Sequence, residues 1–322
     1  MLPIGCVRRC GRAIPMTTDI ARPALTSATL RRHLQAGHTL PVATVVFLIL
    51  ILWYLAAIGL NAPRVLDQWK MSGSSGNARD LVAATWSMDR PVLPTPTQIG
   101  AELFKTVIGE PVSSNRSLVY HAYVTASSTV VGFAFGALLG VLLAVGIVHV
   151  RTLDRSLMPW IIASQTVPIL AIAPMIIVVL GNFGFIGLLP KSIISMYLCF
   201  FPITIGMVKG LRSPDPLQLD LMRSYSAVRG QVLWKLRWPA SVPFLFASLK
   251  VAIAISLVGA IVGELPTGAQ AGLGARLLTG SYYGQTVQIW AALVMAAVLG
   301  AAFVYLVGLI ERFVLVRMGM GR

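Results

Sequence analysis

The stretch SPDPLQLDLMRSYSAVRGQVLWKLRWPASVP, residues 213–243, carries Arg223, Arg229, Lys235 and Arg237, yet long apolar runs lie on both sides of it. Asp215 followed by Pro216 is a helix-opening pair, because the carboxylate accepts from first-turn N–H groups and proline needs no donor there. Leu217, Leu221, Tyr225, Val228 and Val232 then recur at steps of four, four, three and four. That spacing predicts one apolar stripe on a helix, with Asp220, Arg223, Ser224 and Arg229 elsewhere around the cylinder. Gly230 interrupts, a second short run follows to Trp238, and Pro239 and Pro243 mark the start of the next apolar run. An apolar stripe on a short basic helix needs a cover, either a membrane surface or a groove on another protein.

The flanking runs belong to a set of six, at about 41–60, 124–150, 157–180, 192–208, 243–265 and 287–309. Each approaches the ~20 apolar residues that cross a bilayer core as a helix. Hydrophobic residues make up 56% of the 322 and charged residues only 11%, against roughly 25% charged in soluble domains. The runs are continuous rather than alternating, which favours helices over a barrel. The expected fold class is therefore all-α, a polytopic membrane protein of about six transmembrane helices. Its expected parts are a tail at 1–40, a first membrane helix at 41–60 and an external segment at 61–123. A membrane core at 124–312, containing the loop 213–243, and a second tail at 313–322 complete it.

The net charge of +15 would point to nucleic acid in a soluble chain; here the placement of the charges carries the information, and no nucleic-acid partner is expected. With the N-terminus inside, 17 of the 26 Lys and Arg fall on inner segments, 8 on outer ones, and Lys250 within the fifth run. That bias puts both termini, and the loop 213–243, in the cytoplasm.

Several residues carry open alternatives. Gly132, Gly136 and Gly140 repeat every four positions and mark a face for close helix packing. Pro168 and Pro174 interrupt the third run and should kink or unwind it. Gln165 and Thr166 beside them would be costly against lipid, so these four residues either border a pathway or bond to neighbouring helices. Glu264, near the outer end of the fifth run, faces a cavity, meets Arg276, or is a hydrated interfacial carboxylate. Lys250 is expected to snorkel to the cytoplasmic surface, with a salt bridge inside the bundle as the alternative. In the segment 61–123, residues 97–108 read as a short helix capped by Thr97, and the whole either contacts an external partner or spans a distance. Cys6 and Cys10 are weak metal candidates, and the four scattered histidines, His33, His38, His121 and His149, make no metal set. Residues 1–40 lack a signal-peptide core, and Met16 is an alternative start because residues 1–15 have no periodicity.

The segment DLMRSYSAVRGQVLWKLRWPASVPFLFASLKVAIA resembles the EAA loop of bacterial ABC importer permeases. The triplet falls on Asp220, Leu221 and Met222, the family's glycine position on Ser226, the next on Ala227, and the closing prolines on Pro239 and Pro243. LPTP at 93–96, TASSTVVGFAFGALLG at 125–140, QTVPILAIAP at 165–174, FFP at 200–202 and VGELPTGAQAGLGARL at 262–277 are similar to the subgroup serving nitrate, sulfonates, taurine and pyrimidine-type precursors. The resemblance implies a type I, MetI-like permease bundle in a bacterial inner membrane. It implies cytoplasmic ABC ATPase subunits gripping Leu217, Asp220, Leu221, Met222, Tyr225, Ser226 and Ala227, a second permease copy or paralogue, and an extracytoplasmic substrate-binding protein. ATP and Mg would be bound by the ATPase, since no G-x-x-x-x-G-K-[ST] loop occurs in this chain, and no cofactor or catalytic residue is expected here. The rival readings are a secondary transporter or channel, which needs no ATPase, and an intramembrane protease suggested by GSSG at 73–76, whose Ser75 lacks the flanking membrane helix that chemistry requires.

Overall fold

The computed structural model describes residues 27–74, 76–266 and 271–319, with side chains from residue 41 onward. Cys6, Cys10, Met16 and Ser75 lie outside the described residues, as do the side chains of His33 and His38. Among the described residues every regular element is a helix. The helices are α1 (Ser27–Ser72), α2 (Ala78–Ser87), α3 (Pro96–Phe104), α4 (Leu118–His149), α5 (Arg151–Ala163), α6 (Ile169–Asn182), α7 (Leu188–Leu211), α8 (Pro216–Ser224), α9 (Arg229–Val232), α10 (Trp238–Glu264), α11 (Leu273–Tyr282) and α12 (Thr286–Arg317). Five stretches are long and apolar enough to cross a membrane, and α5 with α6 makes a sixth if that bent pair counts as one span.

Contacts divide the chain after Leu52. Before it, the described side chains of α1 are all exposed, an apolar cylinder suited to lipid. From Trp53 onward α1 belongs to the main body. There the prolines of the LPTP motif form a strap that α1 holds. Asn61, fully buried, donates to the Leu93 carbonyl at 2.9 Å and accepts from Val92 N at 2.7 Å. Trp53 Nε1 donates to the Pro94 carbonyl at 3.0 Å, and Thr286 Oγ1 to that of Pro91 at 2.6 Å. A proline-rich strap has few donors of its own and so cannot join a helix; side chains from α1 and α12 satisfy it instead. The short helix after it is capped by Thr95, not Thr97. Thr95 Oγ1 accepts from Gln98 N while the Gln98 side chain returns to Thr95 N at 3.0 Å, a reciprocal capping box.

The centre of the body is α7, packed between α4 and α10. A methyl group added at Gly132 would overlap Ser195 Cβ, one at Gly136 would overlap Cys199 Sγ, and one at Gly140 would lie 2.9 Å from the Phe200 carbonyl. On the other side, a methyl at Gly259 would lie 2.8 Å from Ser195 Cα. Small residues therefore let three backbones approach closely, and hydroxyls fasten them. Ser195 Oγ donates to the Ser256 carbonyl and Ser256 Oγ to the Thr129 carbonyl, each at 2.9 Å. Such bonds are worth about 1 kcal/mol each where no water competes.

The third apolar run is broken as its prolines suggest, but at one of them only. Helix α5 ends in a 3-10 turn, Ser164–Thr166, and α6 starts after Pro168, bent by 100° from α5. Pro174 lies inside α6 without a break. The Ser164 carbonyl freed at the bend accepts from Tyr197 Oη at 2.7 Å, and Tyr197 sits midway along α7. Lys250 does not snorkel: its ammonium pairs with the Glu311 carboxylate of α12. Both are partly sheltered, and pairing costs less than leaving either charge alone at that depth.

Candidate functional site

Two features at opposite ends of α7 and α10 stand out, one beyond the C-terminus of α7 and one at its N-terminus.

The first is the loop holding α8. Asp215 Oδ1 accepts from Leu217 N at 2.8 Å, so the expected cap opens the helix. Leu217, Leu221 and Tyr225 are 78%, 56% and 77% exposed, while Met222 is only half-buried. The helix ends at Ser224, so the stripe foreseen through Val232 is not continuous. Val232 belongs to a new helical stretch running from Arg229 to Glu264 through α9, a π-helical turn and α10, and Val228 is the residue that precedes and caps it. Gly230 lies inside α9 instead of interrupting a helix, and Pro239 and Pro243 lie within the first turns of α10. The break has a clear cause in Ser226, whose φ of +53° is left-handed. Ser226 N donates to the Arg223 carbonyl at 2.8 Å and Ala227 N to that of Met222 at 3.0 Å, the paired bonds of a Schellman stop. Glycine suits this position because any β-carbon costs roughly 1–2 kcal/mol there. Ser226→Gly is expected to firm up α8 by about 1 kcal/mol, read as roughly five-fold slower hydrogen exchange at its amides; unchanged or faster exchange would contradict the strain. Asp220 is paired with Arg223 at 2.8 Å on the exposed surface, and Arg212 joins Asp154 of α5 at 2.8 Å below the loop.

The second is a buried polar network. Glu264 has no exposure at all. Its carboxylate accepts from Thr125 Oγ1 at 2.9 Å and from Gly274 N at 2.9 Å, with the Lys191 ammonium 3.7 Å away. Thr125 Oγ1 in turn accepts from Leu273 N at 2.8 Å, and Lys191 Nζ donates to the Ala271 carbonyl at 2.9 Å. Gly272 N donates to His121 Nδ1 at 3.0 Å, which leaves His121 Nε2 to carry the proton and donate to the Asn115 carbonyl at 2.9 Å. Helices α4, α7 and α10 are thus locked to the N-terminus of α11. Gly272, at φ +130°, has no alternative, because a methyl there would overlap the Glu264 carboxyl. Within this chain Glu264 accordingly stands outside the lining of the cavity beside it, pairs with Lys191 and not Arg276, and is not hydrated at an interface. His121, Thr125 and Lys191 are the members of this network that sequence reasoning missed; a His and a Thr one turn apart in α4 were the available signal.

Beside this network lies a cavity of about 640 Å³, walled by α4, the end of α6, the α6–α7 connection and the ends of α7 and α10. Tyr120, Val124, Ser127, Ile177, Phe185 and Lys191 are among its lining. Gln165, Thr166 and Pro168 are exposed at the α5–α6 bend, away from this cavity, Pro174 is exposed farther along α6, and the packing glycines are on the covered face of α4. Among the described residues no three His, Cys, Asp or Glu side chains group together as metal ligands would.

Residues 136–319 match the family model described as binding-protein-dependent transport system inner membrane component. The chain is 29% identical to the riboflavin transport system permease of Chloroflexus aurantiacus, over 69% of this chain and 78% of that protein. It is 28% identical to a putative aliphatic sulfonates transport permease of Bacillus subtilis, over 79% of this chain and 85% of that one. The fold is similar to a chain of the inward-facing MetNI methionine ABC transporter, with a TM-score of 0.50 and 20% identity over 61% of this chain and 95% of that chain. The matched segment covers the helices packed around α7 and the α8 loop together, and the chain belongs to the family of binding-protein-dependent transport system inner membrane components, as a multi-pass permease subunit of an ATP-driven importer of small solutes and not an enzyme.

Proposed function

We propose that α8 is the handle by which a separate cytoplasmic ABC ATPase moves this permease. The single observation that carries the reading is the bare face of Leu217, Leu221 and Tyr225 on a helix joined to the body at both ends. Apolar side chains in a short capped helix gain nothing from water, and a cleft on a partner is the cover that also transmits force. Tension on α8 reaches α7 through its C-terminus and α10 through the continuous helix from Arg229. The excess of Lys and Arg on the α8 side supports a cytoplasmic position for that end and for both termini of a bacterial inner-membrane protein.

On this reading, the opposite end receives solute from an extracytoplasmic substrate-binding protein. A second copy of the chain, or a paralogue, covers the exposed α5–α6 bend, and the pathway runs between the two past Gln165, Thr166, Pro168 and Pro174. Freed carbonyls and polar side chains at membrane depth are tolerated where protein or a wet pathway meets them. ATP and Mg belong to the ATPase. The solute lies among riboflavin-like and pyrimidine-type precursors, sulfonates, taurine and nitrate. The test is uptake by the reconstituted complex after replacing the ATPase's phosphate-loop lysine. Uptake should stop; uptake that persists without ATP on an ion gradient would count against the reading.

A further inference from the structure

We propose that the 640 Å³ cavity beside the Glu264 network is a solute-selecting site for uncharged, ring-bearing molecules, one that rejects anions. The proposal rests on the importer reading and adds the substrate class. Its size falls within the ~300–1,000 Å³ typical of small-molecule sites. Its position is the end opposite α8, where α4, α6, α7 and α10 converge.

The charge of the lining decides the class. Among the described residues of the lining, Lys191 is the sole Lys, Arg, Asp or Glu. Its charge is balanced by Glu264 Oε1 at 3.7 Å, and one of its N–H groups is bonded to the Ala271 carbonyl. The carboxylate that neutralises it sits behind the wall with no exposure. A sulfonate or nitrate entering this space would shed its hydration and meet no uncompensated positive charge, which costs more than it regains.

An uncharged ring meets better terms. Phe185 and Tyr120 offer aromatic surface, and Val124 and Ile177 apolar surface. Ser127 Oγ donates its proton to the Val124 carbonyl at 2.8 Å, so its lone pairs remain to accept from a ring N–H or amino group. The two permeases named above differ in this respect, one being named for an uncharged flavin and the other for an anion. The cavity chemistry of this chain favours the former kind.

The experiment uses the complete transporter in lipid nanodiscs, with riboflavin and 4-aminopyrimidine as uncharged ring probes and ethanesulfonate as the anion. At least one ring probe should bind saturably, and ethanesulfonate at ten-fold higher concentration should not displace it. Ser127→Trp, which fills the cavity from a half-buried wall position, should weaken ring binding at least ten-fold. Ser127→Lys, which adds an uncommitted cation, should raise ethanesulfonate affinity at least ten-fold. Both variants are compared at equal melting temperature and equal co-purifying ATPase. Ethanesulfonate binding as tightly as the rings, no saturable ring binding, or ring binding indifferent to Ser127→Trp would each overturn the proposal. Loss of ATPase association or of ATP-dependent uptake in the unaltered complex would instead overturn the importer reading beneath it.

Discussion

Leu221→Asp is expected to abolish ATP-coupled uptake and to release the ATPase, while leaving the membrane bundle as stable as before. Leu221 is the middle residue of the bare α8 face and is 56% exposed in the chain alone. Introducing a carboxylate into an apolar socket removes the contact and strands a charge. Central interface residues of this kind cost about 2 kcal/mol or more, roughly thirty-fold in affinity. Surface substitutions away from caps and packed contacts shift stability by only ~0.5 kcal/mol, so the melting temperature should hold. Quantifying ATPase retained on the tagged permease, beside a thermal melt of the same sample, separates the two effects. A correctly inserted Leu221→Asp protein that still holds its ATPase would remove α8 from the coupling role.

Glu264→Ala should act in the opposite way, on folding first. The substitution leaves the Lys191 ammonium, 8% exposed as a residue, without its counter-charge, and orphans the Gly274 N–H. Breaking one partner out of a buried ion pair costs about 3–5 kcal/mol, enough to deplete the folded protein in the membrane. The double variant Glu264→Leu with Lys191→Met should recover part of the loss, since removing both charges avoids the uncompensated one. Melting of the three proteins in one detergent gives the comparison. A single variant as stable as the parent would mean that the network is not what holds α11 to the bundle.

These two effects differ because the residues lie on different kinds of surface, and that difference was only partly legible in the chain. The Asp215–Pro216 opening and the three-four spacing of Leu217, Leu221 and Tyr225 are local signals, and α8 begins where they say. The stop at Ser226 was less legible, because serine gives no sign of a left-handed residue and the apolar spacing runs on to Val232 as though the helix continued. Likewise, Pro168 and Pro174 read alike in sequence, yet only the first breaks the run. At Pro168 the freed Ser164 carbonyl finds the Tyr197 hydroxyl, and that partner comes from another helix.

The amino-acid sequence by itself determined the all-α membrane class, the approximate spans, the close-packing face at Gly132, Gly136 and Gly140, and the cap of α8. Each of these depends on run length, charge spacing or groups within a few residues, which the order of residues states directly. Only the tertiary structure decided the partners of Glu264 and Lys250, the end of the α8 stripe and the place of the cavity. The physical reason is distance along the chain. The Glu264 carboxylate is held by Thr125, 139 positions away, and the interaction of a buried charge is fixed by what folding brings within hydrogen-bond reach, which no local pattern encodes.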